Sequence, residues 1–532
     1  MPWALSAQDC YRDYIQQGIS SYENLQFEEA INLFEAAGIC PDKPEGGDDE
    51  VQEWLTKSRN GYIDAITTAR DNALKSEEAA RELQREAEKQ ARISEANRLA
   101  YLATQELAND NADEALILAY LGLSQAGEES LPLVREAFGN SVAGALSTEF
   151  LGHGDAVTGV GFLNDGSALW SISDDRSLKV WSVEDASLIQ TFQFDSPITC
   201  HAISKSGDLV AVADQLGELV VSDDGGNEIK RINTSESGLV SLVFSMNGSS
   251  LYGASRNGEI FRWQINGTDE ISVNLDARPL EIVGSPNDDY FLVRMADNAV
   301  HVLDRNLVKS SSIRLESYVY DVQFSSRGDE IMVSAADGNI GRWSMQGEDP
   351  RQLNHGSPIH LVVTFDNGDA ISGSKDGIVK FWNNSGNLLM TRSLNSRITD
   401  IMKSENNSHV VISTESGEVG IFGRDGTEVT SFSAHNQNIS AVSISPESGL
   451  FATSSENGIV RLWNLRGDVL LTSPVFTEKV RSLTFTPDGH SIAAGSSDHR
   501  IVLTKEPSVV YEEMSSNPPV VTEAMKSKYG LN

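Results

Sequence analysis

Between residues 150 and 505 a segment ending in a short apolar strand, most often closed by Trp, returns nine times. Five copies end at Trp181, Trp263, Trp343, Trp382 and Trp463, and four put Ser222, Leu303, Phe422 and Lys505 in the same place. Successive end positions stand 39 to 42 residues apart. Inside the first copy Val157, Val160 and Phe162 start an alternating strand, and Asn164-Asp165-Gly166 makes a hairpin turn. Ala168 to Ser173 forms a second strand, Asp174-Asp175 a second turn, and Leu178 to Trp181 a third strand. The turn chemistry recurs at Asn247-Gly248, Arg327-Gly328-Asp329, Asn367-Gly368-Asp369 and Asp488-Gly489, residues that tolerate positive φ. A unit of ~40–45 residues with this plan, a fourth strand leading into the next copy, is a blade of a β-propeller.

The strand-like piece Leu146 to Leu151 precedes the first blade and has no blade of its own. It is placed to complete the last blade, 478–505, and so remove the ring's open edges. The count predicts nine blades, with seven or eight as alternatives if the degenerate fourth and ninth copies fail.

The N-terminal third reads as helical. Residues 11–42 carry Tyr14, Gly18, Tyr22, Ala30, Phe34, Ala37 and Pro41 in the order of a tetratricopeptide hairpin, which they resemble; Leu99, Ala103, Ala115 and Ala119 keep part of that spacing. One hairpin cannot bury its own apolar face and needs a neighbour, either a partner or second copy or the chain's own helix 51–108. Residues 51–108 are rich in Ala, Glu, Arg and Gln, with Glu77–Arg81 and Glu88–Arg92 four apart, and predict a long helix with a thin, Ala-heavy stripe. That stripe suits either a weak coiled coil or a solvated spacer. Residues 111–145 return to an apolar, helical character, and 506–532, with Pro507, Pro518 and Pro519, read as a loosely held tail.

The net charge of −36 argues against general nucleic-acid or anionic-membrane binding, which need a basic footprint. No apolar run approaches the ~18–20 residues of a membrane span. Met1 to Ser20 has no apolar core of a secretory signal, and Cys10, Cys40 and Cys200 leave at least one thiol unpaired, so a cytoplasmic location is expected. There is no Gly-rich loop ending in Gly-Lys-Ser/Thr, and the nine His are scattered rather than spaced as metal ligands. Asp9-Cys10 lacks the upstream His of a cysteine protease. Carboxylate pairs such as Asp174-Asp175 and Asp288-Asp289 fall in turns, which explains them better than acid–base work. No catalytic residue, cofactor or metal is therefore expected.

The repeats resemble the WD-repeat family. That resemblance implies a hydrogen-bonded chain of His, Ser or Thr, Asp and Trp within a blade. The first blade would use His153, Ser173, Asp175 and Trp181, and the sixth His355, Ser374, Asp376 and Trp382. The eighth has His435, Ser455 and Trp463, with Asn457 for the Asp. It also implies a ligand face at the loops entering the first strand and at the turn before the third. Aligned on the end position, the repeats put Tyr318, Tyr320, His360, Arg397, Lys479 and Arg481 at the first site and Arg256 and Lys375 at the second. Aromatic and Arg side chains favour interface anchoring, and the cations favour an acidic peptide. The alternative is that they merely neutralise Asp174, Glu415 and Glu456, which align with the same turn.

The helical stretch 70–145 joined to a propeller is also similar to bacterial proteins in which a helical linker connects a nucleotide-switch ATPase or caspase-like protease to a WD-repeat sensor. Residues 1–69 are too short to hold either effector.

The expected fold class is thus α plus all-β. A tetratricopeptide-like hairpin (1–50) and a long helix with a helical knob (51–145) precede a closed WD40 propeller (146–505) and a tail (506–532). The expected function is a non-catalytic scaffold binding a protein or peptide, with self-association through the N-terminal helices. The alternative is a sensor subunit serving a separately encoded effector.

Overall fold

The computed structural model describes residues 10–127, 131–163, 165–234, 238–348, 351–446, 449–473 and 476–531. Asp9 and Asn164 lie outside that set. The chain divides into two compact units at the Ser94–Glu95 junction.

In the first unit α1 (Cys10–Glu23) and α2 (Phe27–Gly38) form a hairpin, closed by the left-handed Leu25. Gly18 is required where α1 meets α2, because a Cβ there would lie 2.6 Å from the Phe34 ring. The start of α3 (Gly47–Ala108) covers the hairpin's apolar face. Val51 and Leu55 join Tyr11, Ile15, Ala30, Phe34 and Ala37 in one core, and Trp54 stacks on Phe34 with centroids 5.5 Å apart. The neighbour the hairpin needs is therefore its own chain, and the compact unit does not break near residue 50 as expected. A Cys10–Cys40 disulfide ties the hairpin's two ends, leaving Cys200 unpaired. Farther along α3 the Glu77–Arg81 pair forms at 2.6 Å.

In the second unit the last turns of α3 pack with α4 (Ala112–Ala126) and α5 (Pro132–Leu146). Leu99, Ala103, Ala119, Phe138 and Val142 bury together, and the same core takes in Val510, Met525 and Tyr529. These last three belong to α6 (Pro507–Ser516) and α7 (Glu523–Tyr529), so the loose tail expected over 506–532 is a correction. Pro507 sits in the first turn, where its missing N–H costs nothing, and the buried Glu506 caps it by accepting from Ser508 N and Val509 N. Thr522 caps α7 in the same way, and Lys528 pairs with Glu114 at 2.9 Å and Glu106 at 3.2 Å.

The rest of this unit is a propeller of nine four-stranded antiparallel sheets. The first blade runs Val157–Leu163, Ala168–Ser173, Ser177–Ser182 and Leu188–Gln193, and every expected end position falls in a third strand. The ninth blade takes its outer strand from the other end of the ring: Thr148, Glu149 and Phe150 pair with Leu503, Val502 and Ile501. The eighth blade's outer strand, Val469–Ser473, is covered by α5. Gly139 lets the two backbones touch, since a Cβ would meet the Leu470 carbonyl oxygen at 1.9 Å, and Asn140 Oδ1 accepts from Thr472 N at 2.6 Å.

One feature recurs in all nine blades without a sequence signal. Two residues into each first strand the register slips by one, as between Val319 and Asp321 or Ile359 and Leu361. Such a bulge turns the skipped side chain out of the alternating pattern. Those skipped residues are Thr158, Thr199, Val240, Leu280, Tyr320, His360, Thr399, Ser440 and Arg481. No described helix is long and apolar enough to cross a membrane.

Candidate interaction surface

The blade-internal chain runs from Asp175 through His153 in the first blade, while the sixth and eighth blades form only its His–hydroxyl–Trp part, and all three use a different hydroxyl from the one expected. His153 Nε2 and Trp181 Nε1 meet on Ser171 Oγ at 2.7 and 2.8 Å, not on Ser173. In the sixth blade His355 Nδ1 and Trp382 Nε1 meet on Ser372 at 2.8 and 2.9 Å, not on Ser374. In the eighth, His435 and Trp463 meet on Thr453 at 2.8 and 2.9 Å, not on Ser455. The reason is register. Trp181 stands opposite Leu169, so the indole reaches the diagonal neighbour Ser171, and Ser173 lies one further step towards the turn. Ser173 instead donates to the Asp155 carbonyl, and Ser374 donates to Asp376 and to the Ile378 carbonyl. The third and fifth blades put Gly253 and Val333 two residues beyond the Trp partner, so Trp263 and Trp343 find no acceptor among the described residues.

Two of these histidines are held neutral. Burial, helped by Lys380, lowers His355 to about 4; burial and Arg461 lower His435 to about 4. Burial alone would raise Asp175, but hydrogen bonds from His153, Ser177 and the Gly154 amide outweigh it and hold its carboxyl well below the usual range. Burial alone would raise Asp376 too, but hydrogen bonds from Ser357 and Ser374 and from backbone amides hold it below the usual carboxylate range. Each buried imidazole, bonded to a hydroxyl of a neighbouring strand, is a structural tie between strands.

Contacts join some of the eight residues expected on the partner face to one another and others to carboxylates. Tyr320 and His360 are bulge residues of the fifth and sixth blades, which is what brings them out of the strand pattern. Tyr318, 44% exposed, meets Tyr320 edge-on with centroids 5.0 Å apart. Lys375 Nζ donates to Tyr320 Oη at 2.8 Å and lies 4.4 Å from the ring centroid. His360 is lowered by burial first, against the pull of the Ile398 carbonyl, with the charges of Arg397 and Lys375 adding to the shift. Tyr318, Tyr320, His360, Lys375 and Arg397 thus form one neighbourhood over the fifth to seventh blades. No hydrogen bond or ion pair reaches the Arg397 guanidinium among the described residues.

Lys479 and Arg481 behave otherwise. Lys479 pairs with Glu456 at 3.1 Å, and Arg481, a bulge residue, pairs with Asp174 at 3.3 Å and donates to Ser497 at 2.8 Å. Both cations are thus paired with carboxylates of the turn before a third strand. Arg256 stands apart in the third blade, near Cys200, whose thiol burial pushes up to about 12.

A group the sequence reading missed faces the same bulges. Asp321 follows Tyr320 and accepts from the Val362 amide of the next blade at 3.2 Å. Burial, and then the charge of Glu281, push its carboxyl up to about 6. Ser241 and Ser482, at the equivalent position, accept from Ile282 and Val160 at 3.2 and 3.1 Å. The sequence signal for these three ties is a short polar residue two places after the first-strand anchors Leu239, Val319 and Val480.

Residues 144–182, 426–464 and 470–504 match the family described as WD domain, G-beta repeat. The chain carries WD40 repeats. An uncharacterised WD repeat-containing protein of Synechocystis is 27% identical over 131 residues, 24% of this chain and 37% of that one. Rat apoptotic protease-activating factor 1 is 23% identical over 366 residues, 63% of this chain and 25% of that one. The U3 small nucleolar RNA-associated protein 21 homolog of Schizosaccharomyces pombe is 28% identical over 26% of this WD40 chain and 16% of its own. The chain thus spans less than two fifths of each relative. Among solved structures, Chaetomium thermophilum Sqt1 bound to the N-terminus of ribosomal protein L10 aligns with TM-score 0.49 and 14% identity, over 58% of this chain and 96% of that one. The C-terminal WD40 domain of Sif2 aligns with TM-score 0.49 and 14% identity, over 68% and 98%.

Proposed function

We propose that this WD40 protein is a non-catalytic scaffold that holds an acidic protein segment on the fifth to seventh blades of its propeller. WD40 propellers commonly bind protein or peptide partners and are generally non-catalytic. The observation that carries the reading is the Tyr318–Tyr320–Lys375–His360–Arg397 neighbourhood, in a chain of net charge −36. Exposed aromatic surface and an uncommitted guanidinium supply the anchors such a partner needs. Replacing Lys375 and Arg397 with Glu should abolish co-purification of the principal partner, read by mass spectrometry, with an unchanged melting temperature. Arg481→Glu, outside the neighbourhood, should leave capture intact. Undiminished capture by the double variant sinks the reading.

A second reading has its own observation, the 366-residue likeness to apoptotic protease-activating factor 1. In it the chain is a sensor subunit that works with a separately encoded effector enzyme. The partner recovered above would then be a nucleotide-switch ATPase or a protease. We also propose a cytoplasmic location and self-association through the N-terminal helices. The Cys10–Cys40 bond weighs against the first, since such bonds persist in oxidising compartments. Alkylation and mass spectrometry of protein taken directly from cells decides: three free thiols support the cytoplasm, and a Cys10–Cys40 disulfide excludes it. Light scattering on the full chain tests self-association, and a monomer at all concentrations removes it.

A further inference from the structure

The two ends of the N-terminal hairpin bring together a group of side chains that a separation of 30 residues hides in the sequence. Cys10 Sγ, Cys40 Sγ and a carboxylate oxygen of Asp42 lie within 4.8 Å of one another. Cys10 opens α1, and Cys40 and Asp42 follow α2. The carboxylate is aimed by the backbone beside Cys10: the Tyr11 amide donates to Asp42 Oδ1 at 3.1 Å and to Oδ2 at 3.3 Å. Tyr11 is itself held, with its hydroxyl 2.8 Å from Glu50 Oε2 and 3.1 Å from the Gly47 carbonyl oxygen. No Lys or Arg pairs with Asp42 among the described residues. Asp42 and Glu50 share the wall of a cavity of about 480 Å³ with Tyr11 and Pro44.

We infer that the reduced chain holds one zinc ion at Cys10, Cys40 and Asp42. Two thiolates and a carboxylate suit zinc, at ~2.3 Å to sulfur and ~2.0–2.2 Å to oxygen, and a water completes the tetrahedron. The soft sulfur ligands exclude magnesium and calcium. With the Cα atoms 5.9 Å apart, both sulfurs reach one ion by side-chain rotation, and the hairpin backbone stays as it is. The Tyr11 amide is the outer-shell donor that fixes the carboxylate. Disulfide and zinc are then alternative clasps on the same two ends. Oxidation by a small-molecule disulfide takes two electrons from the thiolates, forms the Cys10–Cys40 bond and releases the ion, and two protons go to the departing thiols. Reduction by a small-molecule thiol cleaves the bond to two thiols, whose protons the ion displaces as it binds. The inference is independent of the propeller face proposed above.

The probe is cobalt(II), titrated into the full chain after reduction by a phosphine, because bound thiolates give this ion a near-ultraviolet charge-transfer band. One ion per chain should bind, produce the band and yield to added zinc, and the disulfide form should show no band. Cys10→Ser and Cys40→Ser should each remove tight binding. Asp42→Asn keeps an acceptor for the Tyr11 amide and should weaken binding roughly tenfold or more, since even the loss of an outer-shell partner costs about that. Cys200→Ser, at the unpaired thiol, should change nothing. No band in the reduced native chain, or one that survives both Cys10→Ser and Cys40→Ser, overturns the inference. So does a band lost in Cys200→Ser, an unchanged affinity in Asp42→Asn, or equal binding by the disulfide form. Circular dichroism of the variants identifies one that has not folded, and Asp42→Asn, on a half-buried side chain, keeps the test valid if a cysteine variant fails.

Discussion

Thr453 Oγ1 accepts from the buried Trp463 indole and is also hydrogen-bonded to the buried His435 Nε2, while Ser455, two residues on, bonds only within its turn. Removing an acceptor from a buried donor costs ~1–3 kcal/mol. Thr453→Val should therefore destabilise the propeller by about that amount in denaturant unfolding, and Ser455→Ala by clearly less. The same residues set the response to acid. His355 and His435 fall to about 4 in the folded chain, below the ~6.5 of a free imidazole. The unfolded chain then binds more protons between those values, so their contribution is complete above pH ~6.5 and is lost as pH falls towards 4. Asp321 has the opposite sign. Its folded value of about 6 lies above the ~3.9 of the unfolded group, so it costs stability above pH 6 and ceases to do so near 4. Asp321→Asn should raise the melting temperature at pH 7 and give no gain at pH 4, with the Val362 amide still bonded to the side-chain oxygen. A gain that is the same at both pH values refutes the assignment.

At the scale of elements, what could be read in advance followed from periodicity. The third strands, their turns and the extra strand before the first blade all have a residue pattern that forces them. The bulges do not. A skipped residue leaves the apolar anchors Val319 and Val322 where a regular strand could also put them, so Tyr320 and His360 were legible as neighbours of the anchor but not as side chains turned out of the sheet. The hydroxyl acceptors failed for a related reason: Ser171 and Ser173 share a face, and only the diagonal from Trp181 chooses between them. The proline-bearing end at 506–532 misled because proline marks a helix's first turn as readily as a loose chain. Removing residues 506–532 should therefore lower the melting temperature and expose Leu118 and Phe138, seen as increased binding of an apolar dye and aggregation on warming. A truncation as stable as the full chain would show α6 and α7 to be ornamental.

The whole molecule depends on one short pairing. Phe150 is 1% exposed, stacks edge-on with Trp181 at 5.9 Å, and lies opposite Ile501. It thus joins the first blade to the last, a seam also crossed by the Arg481–Asp174 pair and the Ser482–Val160 bond. Phe150→Ala should cost ~3–5 kcal/mol and raise hydrogen exchange at Ile501–Leu503 more than at any blade opposite. Equal exchange across all blades would mean that the ring does not hinge on that seam. The pairing also sets a clock for synthesis. About 350 residues separate Phe150 from Ile501, and a ribosome adds ~5–20 residues per second, so the first strand leaves the ribosome roughly 20–70 s before its partner exists. For that interval every completed blade belongs to an open arc with a bare edge at each end. A chain of net charge −36 repels its own copies, which opposes edge-to-edge joining of neighbouring arcs over that interval.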